Sequence, residues 1–332
     1  MSKKELLALF LDRSGAGALL RSAASWEGLL VLNYHRVGPW PTTVWDKDLF
    51  SATQEGFHDQ LSFLKANFDV VGFDDFAGLG NRRGRHVQIT FDDGYRDNHD
   101  LAFPVLSDLG LSATFFVCTG FIDQGGVPWW DELAWIVNHS QSGKQARFRG
   151  LEFSLADPTQ RLATVRQLNA LYDGLTESER PGFLDELAQA LLSKRCGPAE
   201  GASLWMTWDM IRAMHQGGMT IGGHTLNHVE LSRYSESDQL IEITGTGSCQ
   251  RIETEVGAPV RTFSYPYGTQ NSFNNETRQA LANAGIEYAY SYSGGYQGVT
   301  GWDRYDLKRT PVEAHHSQAF FRSMLSLPRL FA

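Results

Sequence analysis

Two carboxylates stand side by side in Thr90-Phe91-Asp92-Asp93-Gly94, at the end of the apolar, β-branched run Val87 to Phe91. Such a run reads as a buried strand. Adjacent carboxylates repel each other unless a cation or a proton separates their roles. The C-terminal end of a strand is also where α/β folds place their chemistry. The pair therefore reads as one metal ligand plus one base, against the plainer alternative of a strand-to-turn Asp-Asp-Gly in which Asp93 caps a helix. A second group, His224-Thr225-Leu226-Asn227-His228, follows the strand-like Met219 to Gly222. The His-x-x-x-His spacing puts both rings on one side of a helical turn, able to grip one metal. No His-Glu-x-x-His occurs, which excludes the zinc-protease pattern. With Asp93 as third ligand the set becomes His₂Asp, a facial site with open positions. Such a site holds water and polarises a carbonyl. Asp92 beside it can take the proton of that water.

These groups need a frame that brings strand ends together. Leu29 to Tyr34 is apolar on both faces, as in a parallel sheet, and ends in His35. Ala113 to Cys118 is a further strand, and a helix over Leu101 to Leu109 closed by Gly110 separates it from the Asp-Asp strand. Strand, helix, strand at this spacing is a βαβ unit. The rhythm breaks over 121–205, where Trp129 to Val137, Pro158 to Leu175 and Pro181 to Leu192 read as amphipathic helices with no strand between them. It resumes with a helix capped by Thr207, then Met219 to Gly222, a helix from Ser235 toward Val256, Val260 to Tyr265 ending in Pro266-Tyr267-Gly268, a helix from Asn275, and Glu287 to Tyr292. Gly245 and Gly247 interrupt the Ser235 helix without a reason visible in the sequence. Seven or eight strands alternating with helices fit a closed or nearly closed (β/α) barrel, with an open doubly wound sheet as the alternative. The expected organisation is an N-terminal helical segment over 1–27, a barrel over 28–316 with its helical insertion at about 121–205, and a C-terminal helix over 317–332.

Composition bounds the rest. At 332 residues, 42% hydrophobic and 12% aromatic, the chain can bury a sizeable core. A formal charge of -9 argues against nucleic-acid binding. No glycine-rich phosphate loop appears, which disfavours nucleotide chemistry. Cys118, Cys196 and Cys249 are scattered, as reduced thiols would be. The apolar run Leu6 to Leu11 is too short and too closely flanked by charge for a signal peptide, so a cytoplasmic location is expected. The first two dozen residues could form an amphipathic helix making a weak membrane-surface contact, or a helix packed on its own domain.

Thr90 to Gly94, His224 to His228, and Arg261-Thr262-Phe263-Ser264-Tyr265-Pro266-Tyr267-Gly268 together resemble the first three motifs of the polysaccharide deacetylases, the NodB-homology enzymes of carbohydrate esterase family four. The likeness extends to Ala113 to Val117 and covers roughly 28–118 and 207–312. Leu32-Asn33-Tyr34-His35-Arg36-Val37 and the insertion resemble the bacterial members tied to exopolysaccharide biosynthesis. The resemblance implies a distorted, TIM-like (β/α)7 barrel and a hydrolase that removes acetyl from the amide of an N-acetylated glycan or a lipid-linked sugar. It implies that Asp93, His224 and His228 hold a divalent metal, zinc first, with cobalt or nickel as alternatives. By position, Asp92 would be the base, Arg261 would orient Asp92, and the Tyr267 backbone N–H would bind the developing oxyanion. The general acid is expected at His35, with His315 and His316 as the rivals. Trp302-Asp303-Arg304-Tyr305-Asp306 or Arg309 would supply part of the fourth motif. Two other readings use the same residues: a non-catalytic glycan-binding protein, and an O-acetyl esterase.

Overall fold

The computed structural model describes residues 2–23, 26–81, 84–176, 178–245 and 247–331. The chain forms two compact units. The larger comprises Met1–Gly38, Phe50–Asp123 and Trp205–Ala332, and the smaller Pro39–Leu49 and Gln124–Leu204. The expected insertion thus recruits a second segment, residues 39–49. The segments expected as separate ends, 1–27 and 317–332, belong to the larger unit.

The larger unit is a nearly closed parallel barrel. Its strands are β1 (Gly28–Tyr34), β2 (Arg85–Phe91), β3 (Thr114–Val117), β4 (Thr220–Gly223), β5 (Thr262–Ser264), β6 (Tyr288–Tyr290) and β7 (Arg309–Pro311), in the order β6-β5-β4-β3-β2-β1-β7. A parallel bridge from Tyr290 to Leu307 brings β6 to the start of β7 and all but closes the ring. That bridge is what distinguishes the arrangement from an open sheet, since strands buried on both faces are common to open and closed parallel sheets. Alternation along β1 sorts its side chains. Leu30, Leu32 and Tyr34 join the large core beneath the helices, while Leu29 and Val31 pack with Phe116, Tyr290 and Leu307. The β2 side of the core is reinforced by Phe91 and Phe115, stacked at 4.7 Å. Asn33, Gln88 and Thr90 are polar yet essentially unexposed in these same strands. Buried polar groups need partners: Gln88 Nε2 donates to Thr114 Oγ1 and Thr90 Oγ1 to the Leu32 carbonyl, while the Asn33 side chain reaches the site described below.

The helix expected from Ser235 to Val256 is two helices, Glu236–Thr244 and Cys249–Val256. Gly245 closes the first. A Cβ at Gly247 would lie 2.8 Å from Leu226 Cδ1, so a larger residue there would require the Leu226 side chain in the histidine loop to shift.

The smaller unit packs helices Trp129–Asn138, Pro158–Asp173 and Phe183–Ala190 around Leu133, Ile136, Leu168 and Leu187. It also contains the antiparallel strands Gln145–Phe148 and Leu151–Ser154, which the all-helical expectation missed. Arg149 and Gly150 join them with φ of 45° and 81°, a two-residue turn whose twist matches a hairpin. Four-residue strands carry too little alternation to stand out in sequence.

A buried acid here makes the unit pH-sensitive. Asp46 is 4% exposed, accepts from the Asp48 backbone N–H at 3.0 Å and from Asn169 Nδ2 at 2.7 Å, and lies beside the buried Asp131. Burial, with the Asp131 and Asp48 charges adding, pushes its pKa up to about 7. A raised folded-state pKa means stability fully present below the unfolded value and lost as pH rises through the folded one. Between those limits the loss runs at up to about 1.4 kcal/mol per pH unit. Hydrogen exchange in Pro158–Asp173 should therefore slow when pH is lowered from 8 toward 5, after correction for intrinsic rates. Asp46→Asn should flatten that dependence; an unchanged slope would show that Asp46 does not titrate in this window.

Candidate metal and catalytic site

The C-terminal ends of β1, β2, β4 and β5 deliver His35, Asp92 with Asp93, His224, and Tyr265-Pro266-Tyr267 to one end of the barrel. Asp93 follows β2 with φ of 76°, which turns its side chain away from that of Asp92. Thr225, His228 and Tyr267 have φ of 63°, 53° and 61°. Four of the six described non-glycine residues with positive φ therefore sit in this one cluster, each at a cost of about 1–3 kcal/mol. Strain concentrated at one place marks it as functional.

Asp93 Oδ1 lies 3.3 Å from His224 Nε2 and 3.3 Å from His228 Nε2. Potential ligand atoms of the three residues all fall within 4.8 Å of one another. The two histidines are held by an irregular loop, not by the helical turn their spacing suggested. His224 Nδ1 lies 2.8 Å from the Ser264 carbonyl oxygen, which can only accept. Nδ1 thus carries the proton, and the lone pair of Nε2 faces Asp93. Asp93 Oδ1 is fully buried and accepts no well-aligned hydrogen bond. A buried carboxylate oxygen left without a donor, between two imidazole nitrogens, is what a divalent cation requires, so the donor set fits a metal. Burial opposes ionisation of Asp93, but His224 and His228 outweigh it and hold the pKa well below the usual carboxylate range. Burial likewise disfavours a charged His224 ring, and the Asp92 and Asp93 charges overcome it, raising that pKa.

Asp92 has a different partner. Arg309 Nη1 donates to its Oδ1 at 2.7 Å and Nη2 to its Oδ2 at 2.8 Å, a bidentate pair in which both residues are buried. Arg309 stands level with Val31, itself level with Gln88, four residues short of Asp92. Its long side chain runs up to the carboxylate. Every other donor of the guanidinium is also used: Nε to the Ser291 carbonyl at 3.0 Å, Nη1 to Asn33 Oδ1 at 2.7 Å, Nη2 to Ser264 Oγ at 2.8 Å. Burial alone would raise the Asp92 pKa; Arg309, then His224, more than offset it and hold Asp92 below its ordinary value. Asp92 is thus kept ionised while in reach of His35, whose Nε2 lies 3.9 Å from Asp92 Oδ2. Burial pushes the His35 pKa down, against the raising effect of Asp93 and Asp92. The His35 ring sits edge-on to Tyr292, whose hydroxyl donates to Glu313 at 3.3 Å.

The arrangement corrects the assignment of Arg261. That residue precedes β5, at the opposite end of the strand, and bonds Glu287 at 2.7 Å and Asp74 at 2.8 Å. The arginine on Asp92 is Arg309, which entered the sequence reading only as part of an unclear fourth motif. One signal could have found it: Asn33 near the end of an otherwise apolar strand, a buried polar group that calls for a partner. Trp302 to Asp306 stays away from the site; Asp303, for instance, pairs with Arg278. The His315 and His316 rings lie tilted at 57° to one another, and His316 stacks on Phe320 of the C-terminal helix. Tyr267 does lie by the histidines, its ring 5.5 Å from that of His228. Because the Arg261 pairs are largely exposed, Arg261→Ala should cost no more than ~1 kcal/mol of stability and leave hydrolytic activity within about twofold. A larger loss in kcat would return Arg261 to the site.

A sequence model of the polysaccharide deacetylase family matches residues 80–154 and 171–289, more than half of the chain. Over 89 residues the chain is 30% identical to YxkH of Bacillus subtilis (strain 168), a stretch covering 27% of this chain and 32% of that protein. The match thus spans about a third of the curated relative's length. Among solved structures, the Streptococcus pyogenes deacetylase PplD in complex with acetate is similar with a TM-score of 0.56 at 16% identity, over 87% of this chain and 94% of that one. IcaB from Ammonifex degensii is similar with a TM-score of 0.55 at 18% identity, over 90% and 96%. At these identities the likeness concerns the fold, and the (β/α)7 barrel is common to them. On the family match, the chain belongs to the polysaccharide deacetylase family.

Proposed function

We propose that this protein is a metal-dependent hydrolase that removes acetyl from the amide nitrogen of an N-acetylated glycan or a lipid-linked sugar. The observation that carries the reading is the pairing of Asp93, His224 and His228 around one buried oxygen with an Arg309-held Asp92 beside them. A divalent ion bound by Asp93, His224 and His228 would supply a Lewis acid that polarises the acetyl carbonyl and makes water a stronger nucleophile. Zinc suits two imidazoles and a carboxylate, and cobalt or nickel would also fit. The rest falls to the chain's own groups. Ionised Asp92 takes the proton of the attacking water. We assign to the backbone N–H of Tyr267 the role of donor to the oxygen on which negative charge develops. His35 gives a proton to the departing sugar nitrogen, so the C–N bond breaks to release the amine and acetate. The likeness of the Leu32 to Val37 phrase to exopolysaccharide-associated deacetylases supports a substrate of exopolysaccharide biosynthesis.

Elemental analysis of purified protein tests the reading without knowledge of the glycan. About one divalent ion per chain is expected, lost in His224→Ala. Dialysis against a chelator should abolish acetate release from N-acetylated oligosaccharides, and zinc or cobalt should restore it. Protein that takes up no metal, or that releases acetate equally well without it, would overturn the assignment. Parallel assay of O-acetylated sugars separates amide from ester hydrolysis.

A further inference from the structure

Helix Lys3–Arg13 sorts its side chains by chemistry. Ala8 and Leu11 face the protein and are buried. Both acids are engaged by the protein itself: Glu5 Oε1 accepts from the Ser317 backbone N–H at 3.3 Å, and Asp12 pairs with Arg322 at 3.3 Å. Among its exposed residues Lys3, Leu6, Phe10 and Arg13 fall at steps of three, four and three, hence one stripe, with Lys4 and Leu7 also exposed. Leu6 is 53% exposed and Phe10 64%, with Leu7 at 38% beside them. The following helix, Ala16–Ser22, exposes Leu19 at 71%. Four of the nine exposed large apolar side chains among the described residues thus lie between 6 and 19, which is clustering rather than the usual scatter.

We infer that this stripe docks on a membrane surface bearing anionic lipid. The inference goes beyond the deacetylase reading and stands independently of it. An apolar stripe rimmed by Lys3, Lys4 and Arg13, whose own acids are paired with other groups of the protein, matches the boundary between phosphate headgroups and acyl chains. A second copy of the chain fits less well. A two-fold contact sets one patch against itself, so the cationic rim would meet its own charge. On a molecule of net charge -9, a cation-rimmed apolar face also fixes which side approaches an anionic bilayer. Among the described residues no helix is long and apolar enough to cross a membrane, so the contact is peripheral.

Flotation of the full chain with vesicles tests this. Binding is expected to vesicles of phosphatidylcholine and phosphatidylglycerol in equal parts, and much weaker binding to phosphatidylcholine alone. Leu6→Gln with Phe10→Gln should weaken binding about tenfold or more. Lys3→Glu with Arg13→Glu should weaken it about fivefold per cation removed and abolish the preference for phosphatidylglycerol. Because all four side chains are exposed, circular dichroism and acetate release should be unchanged. No flotation with the anionic vesicles, or equal flotation of the Leu6→Gln/Phe10→Gln variant, would overturn the inference. So would a dimer in sedimentation that this variant dissolves, since the stripe would then be a self-contact.

Discussion

Asp92→Asn should lower acetate release by about 10²–10⁴-fold while the protein still binds a divalent ion. The size of the loss is that of a general base removed from its proton. The separation of effects follows from the geometry. Asp92 takes no part in the cluster formed by Asp93, His224 and His228, although it is next to Asp93 in sequence. The turn at Asp93 aims the two carboxylates at different partners. An asparagine retains an oxygen that can accept from Arg309, and the guanidinium keeps its bonds to Asn33, Ser264 and Ser291. Removing the counter-charge of a buried guanidinium costs stability, so metal content and activity are to be read on the variant shown by circular dichroism to be folded, which makes its inactivity interpretable. Full activity in Asp92→Asn would remove Asp92 from the chemistry. Loss of metal together with activity would mean that the two carboxylates act as one ligand set, not as ligand and base.

Arg309→Met should destabilise the barrel by about 3–5 kcal/mol, the cost of leaving a buried charge without its partner. Asn33 Oδ1, Ser264 Oγ and the Ser291 carbonyl lose their donor in the same step. The sharper measurement is the double variant. With Asp92→Asn already present, removal of Arg309 should cost less, by a coupling energy of about 0.5–3 kcal/mol. Urea unfolding of the four proteins gives this number. Additive costs would show that Arg309 supports the barrel without reference to Asp92. Activity should fall in Arg309→Met as well, because without the guanidinium burial acts on Asp92 with less opposition and favours its neutral form. In a rate-against-pH profile, the acidic limb should move to higher pH. A merely structural role for Arg309 would leave that limb in place.

The grouping of Asp93, His224 and His228 was legible in the chain, and the surroundings of Asp92 were not. Asp92-Asp93, His224 and His228 announce themselves by residue type and spacing, and each follows a strand that composition alone identifies. His35 was placed by the same strand-end logic, and it lies by Asp92. Arg309 was hidden because its contact with Asp92 depends on which strand closes the barrel and at what register, and neither is written in local pattern. Arg261 misled because it stands in a recognisable phrase; a residue before a strand and one after it lie at opposite ends of the barrel. The helices over 121–205 were visible through their period, whereas the hairpin at 145–154 was too short to show one. The recruitment of 39–49 into that unit is a long-range fact that a linear reading does not reach.

Ser264 ends β5 with its carbonyl on His224 and its hydroxyl on Arg309. One residue is thus a common mount for His224, the proposed metal ligand, and for the arginine paired with Asp92. The mount sits on a three-residue strand, anchored by Phe263 in the core. Any repacking beneath Phe263 that tilts this end must move both halves together. Metal affinity and turnover should then vary in step across such variants, and no change made under β5 will tune one without the other.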